Sequence, residues 1–510
     1  MDAVSGLLYG LSVALQPQNL VAAGVGVTLG SVVGVLPGIG PLTSLAILLP
    51  VSFYLDPTSG LILMAGVYYG AMYGGSTTAI LLGLPGESSS VMTVLDGYKL
   101  RLMGRAGPAM TMAALASFVA GILATFGLAF LGVPLASYAL AFGPIEVLAL
   151  ALVGVSLVVV LSANSLVKGT ISACLGFLLA TVGTDIISGV PRFTFGLPDA
   201  LGGINLVDVV LGLFAVGEVL HALVKPEGDQ GLPKGNWLDF RALIPSLDDL
   251  RVSWLPTLRQ SVLGFLLGVM PGTGAVAASF IAYGTEQRLA KPDRAKLFGE
   301  GAMEGVCAPE AANNAAAQGA FVPMLTLGIP GSPAAAVLMG ALIIHGLEPG
   351  PQLFQTNPDV VWGLIASMLI GNLMLIVLNV PLVGLFIQML RIPFPALSVL
   401  TILLSVVGAF AVQNSLFDVL LVFLFGGVGL LMRLHGYPLA PLVLAMVLGP
   451  IVERSLYQGL LIAHGDPIQL VASPIPAVIY GILGLMLVLK LVQTVLRRGP
   501  RLAVEEDEGM

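Results

Sequence analysis

Residues 34–40 read Gly-Val-Leu-Pro-Gly-Ile-Gly, and residues 268–274 read Gly-Val-Met-Pro-Gly-Thr-Gly. Both segments lie inside long apolar runs. Proline removes a backbone N–H donor and glycine readily leaves helical geometry, so each segment is predicted to interrupt a helix. Such an interruption is tolerated where it is buried in protein or lines a watery cavity. For one copy taken alone, a simple helix kink is the competing interpretation.

Two further segments recur in the same order along the chain. Residues 82–86, Leu-Gly-Leu-Pro-Gly, return at 327–331 as Leu-Gly-Ile-Pro-Gly, and Asn-Ser-Leu at 164–166 returns at 414–416. The three pairs are separated by 234, 245 and 250 residues. One match could arise by chance in a chain rich in Gly and Leu, but three in register indicate two homologous halves.

The composition indicates that these halves lie in a membrane. The chain has 510 residues, of which 57% are hydrophobic and only 10% are charged, whereas a soluble domain carries about a quarter charged residues. Several windows without any charge exceed the roughly 20 residues that a helix needs to cross a bilayer. These windows are 3–55, 57–86, 109–145, 147–167, 360–390, 392–417 and 467–489. The predicted fold is an all-α polytopic membrane protein of about 12 membrane segments, some of them broken or re-entrant.

The predicted division of the chain follows from the repeat and the charges. A stretch rich in Pro, Gly and charged residues separates the halves, and a run of four acids occupies residues 505–508. The predicted units are a first transmembrane repeat at 1–225, an extramembrane connector at 226–255, a second transmembrane repeat at 256–496 and a charged cytoplasmic tail at 497–510.

The basic residues predict that the two repeats are inverted. Residues 99–105 carry three basic side chains, while the equivalent loop, 345–352, carries only Glu348. Conversely, residues 288–296 carry four basic side chains, while Asp56 is the charge at the equivalent place. Because cytoplasmic loops are enriched in Lys and Arg, equivalent loops of opposite bias should face opposite sides. The loops predicted to be cytoplasmic are Lys99–Arg105, Arg288–Lys296 and Arg497–Arg501.

The duplicated Pro-Gly segments are the first candidates for a binding site. Breaks at membrane depth expose backbone donors and helix N-termini, whose partial positive charge suits a carboxylate. Their occurrence at matching positions of two inverted repeats favours a substrate site over a kink. The candidate residues are Gly38, Gly40, Gly272, Thr273 and Gly274.

Polar side chains beside the two Leu-Pro-Gly segments extend this candidate site. Hydroxyls and amides can donate to a carboxylate and cost less to bury than charges do. The candidates are Ser76, Thr77, Thr78, Asn313 and Asn314. Glu87 and Glu310 lie nearest to them and are the candidates for coupling a proton or a sodium ion. For any single Ser or Thr, a hydrogen bond to a backbone carbonyl of a helix is the alternative role.

Several function classes lack their motifs. The sequence contains no Gly-Lys dipeptide and therefore no phosphate-binding loop of the Gly-Lys-Ser/Thr type. Neither His-Glu-x-x-His nor Gly-x-Ser-x-Gly occurs, so we expect no enzyme, no catalytic residues and no cofactor. The two cysteines, Cys174 and Cys307, are far apart and predict no disulfide or metal centre. Basic residues are too sparse for nucleic-acid binding.

Four segments resemble the large membrane subunit of tripartite tricarboxylate transporters, and the likeness runs through nearly the whole chain. These segments are Gly34–Pro41, Tyr69–Glu87, Pro309–Gly319 and Leu325–Ser332. The resemblance implies a multi-pass protein of the bacterial inner membrane that works with a small membrane subunit of about four helices and a periplasmic solute-binding protein. It also implies symport of small carboxylates, tricarboxylates or dicarboxylates, with sodium or protons, so that a bound sodium ion is one candidate for the coupling ion.

Three other functions have to be weighed from the residues alone. An ion channel, or an anion transporter that needs no binding protein, could use the same broken helices. An intramembrane enzyme acting on lipid would need a convergent nucleophile and base, and no His or Cys stands in such a pattern. Rocking and elevator motions are equally compatible with the sequence.

Overall fold

The computed structural model describes residues 1–36, 40–162, 165–185, 188–224, 243–270, 274–385, 394–481 and 483–485. In these residues the regular structure is almost entirely helical, apart from one antiparallel pair of two-residue strands, β1 and β2, in which Gly183 pairs with Arg192. The helices of the first half are α1 Ala3–Ala14, α2 Pro17–Val35, α3 Pro41–Ser52, α4 Pro57–Leu82, α5 Val91–Leu102, α6 Ala106–Ala139, α7 Pro144–Ser162, α8 Leu166–Ala180, α9 Leu206–Val210 and α10 Gly217–Val224. Those of the second half are α11 Leu247–Val269, α12 Gly274–Leu289, α13 Pro292–Ala295, α14 Met303–Gly319, α15 Phe321–Leu327, α16 Pro333–Ile344, α17 Leu353–Thr356, α18 Pro358–Asn379, α19 Phe394–Gln413, α20 Leu416–Leu434, α21 Ala440–Ile462 and α22 Gln469–Ala472.

The all-α membrane class is confirmed. Within the described residues, six helical segments are long and apolar enough to cross a membrane: Pro17–Val35, Ala106–Ala139, Leu206–Val224, Pro358–Asn379, Leu416–Leu434 and Ala440–Ile462. Shorter apolar helices, such as α3 and α16, lie between them. Helices of 12 residues are about 18 Å long and fall short of a bilayer core, as broken or re-entrant segments do. The count of about 12 segments therefore stays a prediction.

Close backbone packing builds the same scaffold in both halves. In the first half, Gly30 of α2 packs against the backbone of Val67 in α4; in the second, Gly264 of α11 packs against the backbone of Ala312 in α14. A Cβ atom at either glycine would collide with the facing carbonyl oxygen. The two contacts are related by the same offsets of 234 and 245 residues that relate the sequence motifs. The recurring motifs thus lie at the ends of two equivalent helix crossings, α2 with α4 and α11 with α14.

The Leu-Pro-Gly segments form matching turns at the ends of these crossings. Gly83 ends α4 with a φ of +71°, and Gly328 ends α15 with a φ of +68°. These left-handed conformations favour glycine, because a side chain there is strained. The chain then doubles back toward the preceding helix, where Gly86 comes to lie beside Gly75. Each turn therefore returns the chain to the level of the helix crossing before the next helix starts.

Each Leu-Pro-Gly turn is followed by a helix, α5 in the first half and α16 in the second. The C-terminal end of each of these helices contacts the opposite half, and the two contacts are equivalent. At the end of α5, Lys99 Nζ lies 3.4 Å from Glu300 Oε2, in the segment that follows α12 and α13. At the end of α16, the ring of His345 stacks on Phe53, which follows α3, with ring centroids 6.5 Å apart. Equivalent helices, α5 and α16, thus each contact the other half at equivalent connections, the one after α12 and the one after α3.

Helix α4 separates these two meeting points. It begins at Pro57, four residues after Phe53, and its last turn is followed by Gly83, which lies against Tyr98 of α5. With 26 residues, α4 is about 39 Å long. Equivalent loops of the two halves therefore lie at opposite ends of this helix, an arrangement that supports the predicted inversion of the repeats.

The predicted connector, 226–255, lies partly outside the described residues, which resume at 243. Helix α11 begins at Leu247, within that range. Its start is set by a capping box in which the Ser246 hydroxyl accepts from the backbone N–H of Asp249, while the Asp249 carboxylate accepts from the backbone N–H of Ser246. The predicted division of the chain into two repeats, connector and tail stays a prediction.

A second junction between the halves joins the segment Leu206–Val224 to α20. Between α9 and α10 the segment forms a π-helical turn, Leu211–Val216. Gly212 and Gly217 pack against α20, where a Cβ atom at Gly217 would lie 3.3 Å from the Cα atom of Gly429. Glycines let the two backbones approach closely. This contact places the side chains at the ends of both helices next to each other.

Candidate functional site

A cavity of about 840 Å³ lies where the two helix breaks and the two Leu-Pro-Gly turns converge. Gly40, the residue that precedes α3, and Gly274, the first residue of α12, both line it. The turn of the first half lines it through residues 84–88, and that of the second half through residues 332–334. The cavity is therefore built from equivalent elements of both halves.

The backbone at the two breaks is accessible from this space. Among the described residues, a Cβ atom at Gly40 or at Gly274 would meet no atom within 4 Å. Gly274 has a φ of +60°, a conformation that side chains rarely adopt. Because α12 begins at this residue, its first N–H groups have no partner within the helix. Gly38, Gly272 and Thr273, which were predicted beside these glycines, lie outside the described residues.

Glu310 of α14 lies at the centre of a buried polar network between the halves. Ser76 Oγ donates to Glu310 Oε2 at 2.6 Å, and Thr93 Oγ1 donates to Glu310 Oε1 at 2.5 Å. All three side chains are buried. A carboxylate held by two hydroxyls of the other half is one way to satisfy a buried acid without a basic residue. Ser76 and Glu310, predicted separately, are thus brought into direct contact.

Glu87 links the cavity to α14, the helix that carries Glu310. Its side chain lines the cavity, and Asn313 Nδ2 donates to Glu87 Oε1 at 3.0 Å. The hydroxyl of Ser89 donates to the same oxygen. Glu87 also precedes the short 3-10 helix Ser88–Ser90, whose N-terminus its side chain caps. The residue therefore combines a capping role with a position at the cavity surface.

The other predicted polar residues lie in the buried part of the site. Asn314 Nδ2 donates to Ser117 Oγ at 2.7 Å and to the carbonyl oxygen of Glu310 at 3.1 Å. Thr78 Oγ1 donates at 2.8 Å to the carbonyl oxygen of Val35, the last residue of α2 before the break. Thr78 therefore has the alternative role of bonding to helix backbone. Thr77 is buried beside it.

The structure adds an ion pair that the predicted site did not contain. Glu218 of α10 and Arg433 of α20 both line the cavity, and Arg433 Nη1 lies 2.6 Å from Glu218 Oε2. A charged residue in an apolar helix is a signal of function by itself. The pairing of these two, which belong to different halves, could not be found without the tertiary structure. Thr93 and Ser117 were missed for the same reason, because each is one hydroxyl in an otherwise ordinary helix.

These groups can bind an anion. Free N–H groups at a helix start, together with an arginine in a cavity with apolar walls, are suited to a carboxylate or another small oxyanion. Of the two candidate acids, Glu87 lines the same space and Glu310 is fully buried; each is a carboxyl group that can hold a cation or a proton. The predicted residues within the described part of the chain thus fall into a cavity wall (Gly40, Gly274 and Glu87) and the buried network behind Glu87.

Comparison with known proteins gives one family. A sequence model of the Tripartite tricarboxylate transporter TctA family matches residues 20–444. An "uncharacterized 52.8 kDa protein in TAR-I ttuC' 3'region" of Agrobacterium vitis is 44% identical over 507 residues, covering 99% of this chain and 100% of that protein. An "uncharacterized protein in TAR-II ttuC' 3'region" of the same organism is 42% identical over 244 residues, which is 48% of this chain and 100% of that protein. No solved structure matches.

Proposed function

The chain belongs to the tripartite tricarboxylate transporter TctA family, and we propose that it imports small carboxylates as the large transmembrane subunit of a binding-protein-dependent secondary transporter. Membership implies the large subunit of a tricarboxylate transporter, a multi-pass membrane protein and not an enzyme. The resemblance seen in the sequence is thereby confirmed at the level of the family. The proposal adds the direction of transport, the dependence on a binding protein and the coupling to an ion gradient.

The observation that carries the proposal is the cavity between the two helix breaks. It is lined by backbone from Gly40 and Gly274 and by the side chain of Arg433, and it is framed by equivalent elements of both halves. Sites built from discontinuous helices at the interface of inverted repeats are common in secondary transporters, where half-helix N-termini face anionic substrate groups. We propose that the substrate is held at these breaks, with Gly38, Gly272 and Thr273 contributing from the adjoining residues.

Coupling to an ion gradient is proposed to run through Glu87 and Glu310. Each acid belongs to one half and accepts hydrogen bonds from the other, Glu87 from Asn313 and Glu310 from Ser76. A cation that binds either carboxylate must compete with these contacts between the halves. Sodium and protons are both consistent with carboxylate and hydroxyl groups, so the coupling ion is one of these two.

Alternating access is proposed to use the inverted repeats. The reciprocal contacts of Lys99 with Glu300 and of His345 with Phe53 support this arrangement. In repeats of this kind, motion of one bundle against the other exposes the central site to each side in turn. The remaining parts of the proposed system are a periplasmic solute-binding protein, a small membrane subunit of about four helices and the bacterial inner membrane.

The test is uptake of radiolabelled dicarboxylates and tricarboxylates into proteoliposomes that contain both membrane subunits. The binding protein is added outside, with and without sodium and proton gradients. We expect saturable uptake that requires the binding protein and one of the gradients, which identifies the coupling ion. Passive, unsaturable flux without the binding protein would contradict the proposal and indicate a channel.

A further inference from the structure

We propose that Arg433 binds a carboxylate group of the transported anion and that Glu218 competes with that group for the same arginine. This inference rests on the proposed function, since it assumes a carboxylate substrate. It assigns the recognition of negative charge to an ion pair that lies outside the duplicated motifs. It also explains why an acid stands in a cavity that has to accept an anion.

The geometry places the arginine at the cavity surface with donors to spare. Arg433 Nη1 contacts Glu218 Oε2 at 2.6 Å, and the two side chains are 25% and 21% exposed. Arg433 Nε is buried and has no hydrogen-bond partner in the described part of the chain. A guanidinium carries five N–H donors in a planar fork, so one carboxylate oxygen leaves most of them available. Arg433 can therefore donate hydrogen bonds to a second carboxylate, or further hydrogen bonds to the carboxylate that it already holds.

The charges of the lining make Arg433 the selective element. Among the described residues that line the cavity it is the only cation, whereas Glu87 and Glu218 are acids. A cavity with two acids and no cation would repel a carboxylate, because like charges close together in a poorly solvated space are costly. With Glu218 bound, the charge of Arg433 is neutralised, so an anion has to displace Glu218 in order to bind the arginine. An incoming carboxylate replaces one oxyanion on the guanidinium by another.

The position of the pair links substrate binding to the junction of the two halves. Glu218 follows Gly217 on α10, and Arg433 lies one turn beyond Gly429 on α20, where the two backbones come together. Each partner thus belongs to one half of the chain. When the substrate takes Arg433, the ion pair across this junction opens while the packing of the glycines holds the helices together.

The experiment compares the uptake kinetics of Glu218→Gln, Arg433→Gln and the double variant, in the reconstituted complex with the binding protein. Competition predicts opposite effects of the two single changes. Removing Glu218 frees the arginine and should lower the half-saturating substrate concentration by at least about threefold. Removing Arg433 should raise it by about 10- to 100-fold, as expected for the loss of a charged hydrogen-bond partner. The double variant should behave like Arg433→Gln.

A matched control is Arg192→Gln, which breaks the ion pair of Arg192 with Glu453 at 2.5 Å, where the side chains are 29% and 27% exposed. This variant should keep the wild-type half-saturating concentration. If Glu218→Gln and Arg433→Gln are both impaired and the double variant recovers, the pair is structural and the inference is wrong. If wild-type uptake is saturable and the variants match it, the inference alone fails. If the wild type carries no carboxylate, the proposed function fails, and the inference with it.

Discussion

The turns at 82–90 and 327–335 have the same backbone but different chemistry. Both follow a glycine in the left-handed conformation, and both lead into a helix through a side-chain cap. In the first turn the capping residue is Glu87, whose carboxylate also meets Asn313; in the second it is Ser332, whose hydroxyl accepts from the N–H of Ala335 at 3.1 Å. The acid of the second half is elsewhere, at Glu310 in the middle of α14.

The two turns therefore share a backbone conformation, but the acid and its hydrogen-bond partners stand at different positions in the two halves. Ser76 and Thr93 of the first half satisfy Glu310, and Asn313 of the second half satisfies Glu87. Each acid therefore accepts at least one hydrogen bond from the opposite half. A site that depends on such exchange exists only when both halves are assembled, and the proposed alternating access would change these contacts.

The largest effect is expected when the shared network is removed. Replacing Asn313 and Asn314 together with alanine takes one donor from Glu87 and one from Ser117, both of which are supplied across the junction of the halves. We expect uptake to be abolished while insertion in the membrane is retained. Transport in proteoliposomes and the yield of protein in membranes are the two measurements.

The control for this double variant is Asn379→Ala. Asn379 is also a buried amide between the halves, and it donates to Ser31 Oγ at 3.3 Å and to the carbonyl oxygen of Leu375 at 3.0 Å, but to neither acid. Uptake should remain within about fivefold of the wild type, because one neutral hydrogen bond contributes about 1 kcal/mol. Unchanged kinetics in the Asn313 and Asn314 double variant would remove these residues from the site.

An intermediate effect is expected when the first turn is made to resemble the second. In Glu87→Ser the helix cap is kept, since serine performs this role at the equivalent position 332. The carboxylate is lost, so uptake should fall at least about tenfold, the effect of losing one charged hydrogen-bond partner. The thermal unfolding midpoint in detergent should hardly change.

The capping role is measured separately with Ser332→Ala. Loss of this cap should lower the free energy of unfolding by about 1 kcal/mol. If Glu87→Ser instead transports normally, the acid serves the fold and not the function. The difference between the two turns would then have no chemical meaning.

The smallest effect on uptake, but a clear one on stability, is expected where the halves are alike. Gly30→Ala and Gly264→Ala each place a Cβ atom against a carbonyl oxygen of the facing helix. Each should lower the stability by about 1–3 kcal/mol, as overpacking does. The two substitutions should lower the free energy of unfolding by similar amounts, since they disturb equivalent helix crossings. The measurement is the unfolding midpoint in detergent.

Gly24→Ala on α2 is the matched control, because among the described residues a Cβ atom there would have only Met374 Sδ nearby, at 4.0 Å. This change should be neutral or slightly stabilising, as alanine favours a helix over glycine. A marked difference between Gly30→Ala and Gly264→Ala would show that the two crossings are not equivalent, despite their common pattern.

Much of the candidate site could be predicted because local Pro and Gly motifs determine its backbone conformation. Gly40 and Gly274 were found from the Pro-Gly pattern, and Glu87 from its place after Leu-Pro-Gly; all three line the cavity. The polar clusters at 76–78 and 313–314 were found because polar groups stand out in apolar runs. The hydrogen bond between Ser76 and Glu310 could not be predicted in this way, because no local sequence pattern specifies which buried hydroxyl and which buried acid meet across the halves.

The sequence by itself determined the membrane class, the family, the recurrence of the motifs and the positions of the helix breaks. These properties depend on composition, on apolar length and on the intrinsic conformations of Pro and Gly, all of which act locally. Only the tertiary structure decided which polar groups satisfy one another. It joined Glu310 to Thr93 and Arg433 to Glu218 across the halves. The physical reason is that a buried polar group needs a partner, and the packing of the helices selects which one it meets.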